Sequence, residues 1–161
     1  MKEDGYRLNV GLIISNHEGK LLLCKRKNMN SWQFPQGGIN YGESPLKTAE
    51  RELFEEVGIQ SKSTKLISTI DEWLKYDVPK NSRRRRFLDK KFKGQKQKWF
   101  LFRLKEEVKI SFENDPDNEF EDYKWVSYWY PLSVIISFKE KVYRKALNKL
   151  KYSFCNEFNN V

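Results

Sequence analysis

The chain has 161 residues, and it is poor in long apolar runs and in the cysteine and histidine that bind zinc. It has no run of 18 apolar residues that could span a bilayer, and residues 1–10 lack the apolar core of a signal peptide. Cys24 and Cys155 are far apart, and His17 is the only histidine. These absences argue against a membrane span, secretion and zinc chemistry. We therefore expect a cytoplasmic protein with reduced thiols.

Internal repeats, linkers and a second block of composition are also missing. The length predicts one domain, residues 1–161, with a tail that frays after about residue 157. Charge is not balanced: the chain has 31 lysines and arginines but only 22 acidic residues, which gives a net charge of +9. Such an excess indicates a polyanionic partner, either nucleic acid or a nucleotide that carries several phosphates.

The densest basic run is Arg83 to Arg86, and lysines continue it at positions 90, 91, 93, 96 and 98. One interpretation is a solvated loop with no partner. The other is a surface that attracts an RNA backbone and makes binding depend on salt. The sequence leaves both open.

A helix is predicted over about residues 45–57. Pro45 suits the first helical turn, Ser44 can cap it, and Gly58 is a typical stop. Apolar residues recur at spacings of three, four and four, at Leu46, Ala49, Leu53 and Val57. This spacing predicts an amphipathic helix that packs one face on a core.

Glu52, Glu55 and Glu56 share a different, exposed face of this predicted helix. Carboxylates at these spacings repel one another, and a cation would offset the repulsion. Carboxylate oxygens are the ligands that hard cations such as Mg²⁺ prefer, although Mn²⁺ or another divalent ion would also fit. A merely solvated acidic face is the alternative, but the complete spacing of fixed residues over positions 37–59 favours the metal site.

Strand-like patterns cover residues 8–15 and 20–26, joined by a turn at residues 16–19 that predicts an antiparallel hairpin. Further strands are predicted near residues 65–74, 97–104 and 123–127. Ser137 and Glu140 form a candidate capping box before a final helix. Strands and helices interleaved in this way predict an α/β (α+β) fold, with a mixed sheet sandwiched between helices.

Residues 37–59 match the pattern Gly-x5-Glu-x7-Arg-Glu-Leu-x-Glu-Glu-x-Gly-Ile at every fixed position, from Gly37 through Glu43 and Arg51 to Ile59. This stretch resembles the Nudix box. Other segments resemble the bacterial RNA 5′-pyrophosphohydrolases, also described as dinucleoside polyphosphate hydrolases, of the Nudix superfamily. They are DGYRLNVG at 4–11, SWQFPQGGI at 31–39, GQKQKWFL at 94–101, WVSYWYP at 125–131 and SFK at 137–139. The resemblance weakens at residues 80–93, at residues 105–118 and in the C-terminal tail.

The resemblance implies the Nudix fold and a Mg²⁺-dependent hydrolase. Its reaction would remove pyrophosphate from the 5′-triphosphate end of RNA, or phosphate from a diphosphate end. The product is a 5′-monophosphate that promotes mRNA decay. Asymmetric hydrolysis of dinucleoside polyphosphates is the first alternative, and a non-catalytic RNA-binding module is the second. A protein activator, the number of metal ions and the oligomeric state stay open.

The resemblance also assigns roles at the metal centre. It implies ligation by Glu52, Glu55 and Glu56, by a backbone carbonyl of Gly37 or Gly38, and by Glu119, which could instead be an exposed loop carboxylate. Glu56 or Glu52 would take a proton from the attacking water, with Glu56 favoured. Arg51 would orient a glutamate, and Glu43 would support the ligands or bind the metal through water.

Substrate contacts follow from the resemblance in the same way. Arg7, Arg26 and Ser31 would contact phosphate or nucleotide. Ile136, Phe138 and Lys139 would form the wall on which a base near the 5′ end rests, because stacking on an aromatic ring stabilises a base by about 1 to 3 kcal/mol. Without the family match, Phe138 reads as an ordinary core aromatic at the start of the last helix.

Overall fold

The structure is a computed structural model, and it describes residues 2–82 and 91–159. Arg83 to Arg86 and Lys90 lie outside the described residues. The strands are β1 Lys2–Glu3, β2 Tyr6–Ser15, β3 Leu21–Arg26, β4 Trp32–Gln33, β5 Gln36–Gly38, β6 Thr64–Thr69, β7 Leu74–Asp77, β8 Gly94–Leu104 and β9 Phe120–Val126. The helices are α1 Pro45–Val57, α2 Pro131–Val134 and α3 Glu140–Asn159.

The strands form one mixed sheet in the described part of the chain. Its main order is β4-β3-β2-β8-β6, with β9 on β3, β7 on β8, and β1 and β5 on β2. Strands β2 and β8 run parallel over ten residue pairs, from Tyr6 opposite Gly94 to Ser15 opposite Arg103. The other pairings are antiparallel.

Alternating side chains of β2 and β3 feed two apolar cores, one on each face of the sheet. Leu12 and Leu22 face the core that holds Ala49, Leu53 and Val57 of α1. Their neighbours Ile13, Leu21 and Leu23 face the core that holds Tyr143, Ala146 and Leu147 of α3. Since every second residue of a strand points to the same side, a run of apolar residues serves both layers. The predicted sheet between helices is confirmed.

Helix α1 has the predicted bounds and caps. The Ser44 side chain accepts a hydrogen bond from the backbone N–H of Lys47, and Gly58 takes the left-handed conformation at φ 74°. Its buried face differs from the predicted stripe, because Leu46 is exposed and Thr48 is buried.

Several strand predictions need correction. The turn at residues 16–19 forms, but β2 and β3 pair only at Ser15 and Leu21, because β5 pairs with β2 and β4 pairs with β3 beyond that point. The strand predicted at 65–74 is two strands, β6 and β7, which pair with different halves of β8. Short strands β4 and β5 carry no periodic signal of their own, so sequence patterns missed them.

The last helix begins with a 3₁₀ turn at Ser137–Lys139 and continues as α3. Ser137 therefore lies inside the helical start and does not cap it, which corrects the predicted capping box. Helix α3 continues to Asn159, past residue 157, where we expected the tail to fray. In the described ranges, no helix is both long and apolar enough to cross a bilayer.

Both cysteines are free. Cys24 is buried and Cys155 is exposed. Burial raises the pKa of the Cys24 thiol well above its ordinary value, so this side chain packs as a small apolar group.

Candidate active site

A cavity of about 350 Å³ lies where β2, β5 and β7 meet helix α1 and the loop before β9. Its lining includes the predicted residues Arg7, Arg26, Gly37, Gly38, Arg51, Glu52, Glu55, Glu56, Glu119, Phe138 and Lys139. The fold thus brings residues from both ends of the chain to one place. Such a concave site that collects charged side chains is the expected form of a small-ligand site.

The helical periodicity predicted that the glutamates of α1 share an exposed face, and the structure corrects this. Glu52 and Glu56 retain only 5% and 4% of their accessible surface, whereas Glu55 is half-buried. Strand β5 lies against the helix, so closely that a Cβ on Gly37 would stand 1.9 Å from Cδ of Glu52. The tertiary packing of β5 therefore buries a carboxylate that the isolated helix would expose.

Arg51 links these acids into one network. Its Nε and Nη2 donate to the two carboxylate oxygens of Glu43, each at 2.9 Å. Its Nη1 donates to Glu52 at 2.8 Å and to Glu55 at 3.0 Å. Nη2 also donates to the Gly38 carbonyl at 2.9 Å. A planar guanidinium can make these bonds at once, which agrees with the positioning role that the sequence suggests for Arg51.

Glu43 stands at the start of α1, where it fastens the loop to the helix. Its Oε1 accepts from the Thr48 hydroxyl at 2.6 Å and from the Asn40 backbone N–H at 3.3 Å. The hydrogen bond from Arg51 is the largest cause that lowers the pKa of Glu43, to about 2. Glu43 is therefore a carboxylate that holds Arg51 in place, and its contact with a metal through water stays a prediction.

Glu52 and Glu56 are neighbours that share a buried environment. Burial raises the pKa of Glu56, and the charges of Glu119, Asp115 and Glu52 raise it further. Burial raises the pKa of Glu52 too, but the charge of Arg51 opposes the rise. Without a cation, the pair therefore holds a proton more tightly than free glutamates do.

Asp115 belongs to this acidic group, although sequence reasoning missed it. It is buried, and its two oxygens accept from the backbone N–H groups of Asp117 at 2.9 Å and of Glu119 at 2.8 Å. Asp115 thus shapes the loop that presents Glu119 to the cavity. Position 115 lies in the stretch where the family resemblance weakens, so only an Asp-Pro turn signal could have pointed to it.

The acidic group fits a divalent cation on two observations. Among the described residues, Oε2 of Glu56 is buried and has no hydrogen-bond partner, and burial together with the charges of Glu119, Asp115 and Glu52 raises the pKa of Glu56. A divalent ion would replace the shared proton and satisfy the orphaned oxygen.

We expect Gly37→Ala to reduce turnover by roughly tenfold to a hundredfold, because its Cβ would displace the Glu52 carboxylate. Steady-state kinetics and the thermal shift on adding Mg²⁺ measure this, and both should fall together. Gly42→Asn is the control, since Gly42 lies in the loop that follows β5, with φ 77° and open space around its Cβ position. Asparagine tolerates that conformation, so activity should persist there. Equal activity of the two variants would contradict the close packing of Gly37 on Glu52.

Cationic side chains line the cavity beside the acids. Arg7 lies over Gly38, where a Cβ would stand 2.2 Å from its Nη2. Lys139 is buried, its Nζ lies 3.3 Å from Oε1 of Gln33 and 3.4 Å from that of Gln36, and it lies 5.6 Å from the centre of the Tyr76 ring. Buried ammonium and guanidinium groups beside amides can hold phosphate oxygens.

The other predicted substrate residues are placed less uniformly. Phe138 lines the cavity and its ring packs 6.0 Å from that of Tyr76. Ser31 and Ile136 are not among the lining residues. The Ser31 carbonyl accepts from the Arg26 N–H at 2.9 Å, and Ile136 is 37% exposed beside the 3₁₀ turn. Contacts of all three with substrate stay predictions.

Comparison with known proteins finds relatives over most of the chain. A family model described as the NUDIX domain matches residues 5–146. The RNA pyrophosphohydrolase of Vibrio cholerae is 49% identical over 149 residues, which cover 91% of this chain and 85% of that protein. The RNA pyrophosphohydrolase of Francisella philomiragia is 44% identical over 150 residues, which cover 92% and 96%.

Solved structures of more distant proteins share the fold. The dihydroneopterin triphosphate pyrophosphohydrolase of E. coli superposes with a TM-score of 0.72 at 21% identity, covering 89% of this chain and 95% of that one. A binary complex of the C. elegans Ap4A hydrolase superposes with a TM-score of 0.66 at 20% identity, covering 90% and 98%. At this identity the likeness concerns the fold alone.

Proposed function

The chain belongs to the Nudix family, and we propose that it is an RNA pyrophosphohydrolase that converts the 5′-triphosphate end of RNA to a 5′-monophosphate, or removes phosphate from a diphosphate end. Nudix hydrolases use divalent metal ions, and Mg²⁺ is the ion we propose here. The resulting monophosphate end would promote mRNA decay. Identity near half over nine-tenths of the chain supports this reading over a change of chemistry.

One observation carries the proposal: a single cavity is lined by buried acids and by basic side chains. Glu52 and Glu56 supply the oxygens that a divalent cation needs, and Arg7, Arg26 and Lys139 supply positive charge for phosphates. A polyphosphate that bridges the two groups would satisfy both.

Glu52, Glu55, Glu56 and Glu119 would hold the metal, together with a carbonyl of the Gly37–Gly38 segment. When bound, the ion supplies charge neutralisation at the phosphate oxygens and lowers the pKa of water. Arg51 holds the acids in position through its ion pairs with Glu43, Glu52 and Glu55. The residues of α1 therefore work as one positioned unit.

Glu56 is the better placed proton acceptor of the two buried glutamates. In the described part of the chain, its Oε2 has no hydrogen-bond partner, whereas Oε1 of Glu52 accepts from Arg51. Glu56 would take a proton from the attacking water as the water oxygen bonds to phosphorus. The anhydride P–O bond breaks, and its electron pair leaves with the departing phosphate group. Glu52 stays as the alternative acceptor.

The basic side of the cavity would bind the RNA end. Arg7 and Lys139 would hold phosphate oxygens, and Phe138 would offer its ring to a nearby base. Divalent metal and phosphate binding by the same cavity explains why a chain with a charge of +9 concentrates buried acids at its centre.

A side-by-side assay tests the proposal with 5′-triphosphate RNA, 5′-diphosphate RNA and diadenosine tetraphosphate, with products identified by mass. We expect both RNA substrates to be cleaved to monophosphate ends, with higher kcat/KM for RNA than for the dinucleotide. A higher kcat/KM for the dinucleotide would favour the alternative, asymmetric hydrolysis of dinucleoside polyphosphates.

We expect glutamine at positions 83–86 to lower RNA turnover and its salt dependence, while turnover of diadenosine tetraphosphate changes little. This expectation rests on the charge of the four arginines alone, because they lie outside the described residues. Kinetics at two salt concentrations measure the effect. The control removes four exposed cations from α3, at Lys141, Arg144, Lys145 and Lys149. Equal losses on both substrates, or none, would contradict a role of this run in RNA selection.

A non-catalytic RNA-binding module is disfavoured, because the box acids are all present and two of them are buried in the cavity. Binding of triphosphorylated RNA without release of pyrophosphate in the presence of Mg²⁺ would support that reading.

A further inference from the structure

A group of lysines lies on the α1 side of the sheet, away from the cavity. We name it the lysine face: Lys75, Lys96 and Lys98, with the rings of Tyr6 and Trp73. Lys75 of β7 stands directly opposite Lys96 of β8, and Lys98 follows two residues later on the same side. Like charges directly opposite each other in an antiparallel pair destabilise the sheet. The fold alone gives no reason for this arrangement.

Aromatic rings hold the ammonium groups in place. Nζ of Lys75 lies 4.9 Å from the centre of the Tyr6 ring, and Nζ of Lys98 lies 5.3 Å from that of Trp73. Cation–π contacts of this kind order long side chains that would otherwise move freely. The lysine face is therefore an organised set of charges.

Acidic neighbours balance only part of this charge. Glu3 pairs with Lys96 at 2.7 Å, and Asp77 accepts from the Tyr6 hydroxyl at 2.6 Å. Lys98 donates to the backbone carbonyl of Asp71, which carries no charge. Lys75 and Lys98 are thus the cations of this face that no ion pair described here neutralises.

The lysine face and the cavity lie on opposite sides of strand β7. Tyr76 and Val78 line the cavity, whereas Lys75 and Asp77 alternate with them along the chain and point to the other side of the sheet. In the described part of the chain, β7 pairs only with β8, so it forms an edge of the sheet. A strand of RNA whose 5′ end enters the cavity would pass over this edge to reach the lysines.

We propose that the lysine face binds the phosphodiester backbone of the RNA downstream of its 5′ end. The inference builds on the proposed function, because the same strand would have its 5′ phosphates in the cavity. Lysines act as point charges for phosphates and read no base, so the contact would be independent of sequence. It would favour RNA over small polyphosphates, which end inside the cavity.

The test uses the double variant Lys75→Gln/Lys98→Gln, which leaves the Lys96–Glu3 pair intact. The control is Lys62→Gln/Lys105→Gln, which removes two exposed lysines, one beside β6 and one just after the other end of β8. Fluorescence anisotropy measures the binding of a 5′-hydroxyl RNA of about 20 nucleotides across salt concentrations. Kinetics compare a triphosphorylated RNA of that length with a triphosphorylated dinucleotide.

We expect the double variant to bind the long RNA about tenfold more weakly, with a log–log salt slope smaller by about 1.4, or about 0.7 for each lost phosphate contact. Its kcat/KM should fall for long RNA and stay unchanged for the dinucleotide. Its thermal midpoint at low salt should hold or rise, because two like charges are gone.

Three outcomes would overturn the proposal: unchanged binding of long RNA, an equal effect in the control variant, or an equal loss on the dinucleotide. Unchanged RNA binding together with lost binding of an acidic protein would assign the face to a protein partner. The 5′-hydroxyl RNA needs no cleavage, so binding tests the lysine face even if triphosphate ends are not hydrolysed. Failure of the proposed function would appear separately, as intact wild-type protein that cleaves neither triphosphorylated substrate.

Discussion

Glu56→Gln is expected to lose at least about a hundredfold in kcat with triphosphorylated RNA, because it replaces a proposed metal-ligating carboxylate, which is also the proposed proton acceptor, by a neutral amide. Among the described residues, Oε2 of Glu56 is buried and has no hydrogen-bond partner, so it is available to a cation or a water molecule. Steady-state kinetics with saturating Mg²⁺ measure the loss. The Mg²⁺-induced rise in thermal midpoint should also shrink, because a neutral amide is a weaker ligand for Mg²⁺ than a carboxylate.

Without metal, the same variant should be as stable as the wild type or more stable at alkaline pH. Burial, then the charges of Glu119, Asp115 and Glu52, raises the pKa of Glu56 above its ordinary value of 4.5. The folded state then binds a proton that the unfolded state releases, so the free energy of unfolding falls as pH rises above about 4.5. Glutamine cannot titrate, so its curve should fall less. Denaturation in EDTA at several pH values measures this difference.

Glu50→Gln is the matched control, since Glu50 is an exposed residue of the same helix. It should keep activity and follow the pH dependence of the wild type. Full activity of Glu56→Gln would refute its catalytic role, and a steeper loss of stability with pH would refute the assignment of its pKa.

Arg51→Gln is expected to lower turnover by about ten- to a hundredfold and the free energy of unfolding by about 2 kcal/mol. The Arg51 guanidinium bonds Glu43, Glu52 and Glu55, and its side chain is 26% exposed, so the loss should be below that of a fully buried pair. Arg51→Lys should recover part of the stability and little of the activity, because one ammonium cannot bond Glu43 at both oxygens. Urea denaturation and kinetics measure the two effects.

The stability gap between the wild type and Arg51→Gln should close in acid. Arg51 holds the pKa of Glu43 at about 2, below its ordinary value of 4.5. The stabilisation is therefore present above about pH 4.5 and is lost as pH falls towards 2. Arg144→Gln is the control, because its ion pair with Glu140 is exposed on α3 and should contribute less than about 0.5 kcal/mol. A constant gap from pH 7 to pH 3 would contradict the pairing of Arg51 with Glu43.

Local rules predicted helix α1 to the residue. Ser44, Pro45 and Gly58 act within one turn of the chain, so their effect does not depend on the rest of the fold. The strands were harder to place. Strands β4 and β5 have two and three residues and exist only because β3 and β2 offer them partners. Residues 65–74 divide into two strands because β8 shifts their pairing, which no local pattern encodes.

In the candidate site, too, local spacing predicted some features and tertiary packing decided others. Spacing placed Glu52, Glu55 and Glu56 on one helix and named Arg51 as their partner, because helical periodicity fixes neighbours three and four residues apart. It could not predict that Glu52 and Glu56 are buried, nor that Asp115 joins them, because both depend on segments far away in the chain.

The sequence by itself determined the family, and it predicted metal-binding chemistry and a polyanionic partner, because these inferences depend on residue types at fixed spacings in residues 37–59 and on composition. Only the tertiary structure decided which carboxylates are buried and hold a proton more tightly, since desolvation needs β5 and the loop before β9 packed on α1. It also decided that Lys75, Lys96 and Lys98 share one face, since strand register sets lateral neighbours across 20 residues of chain.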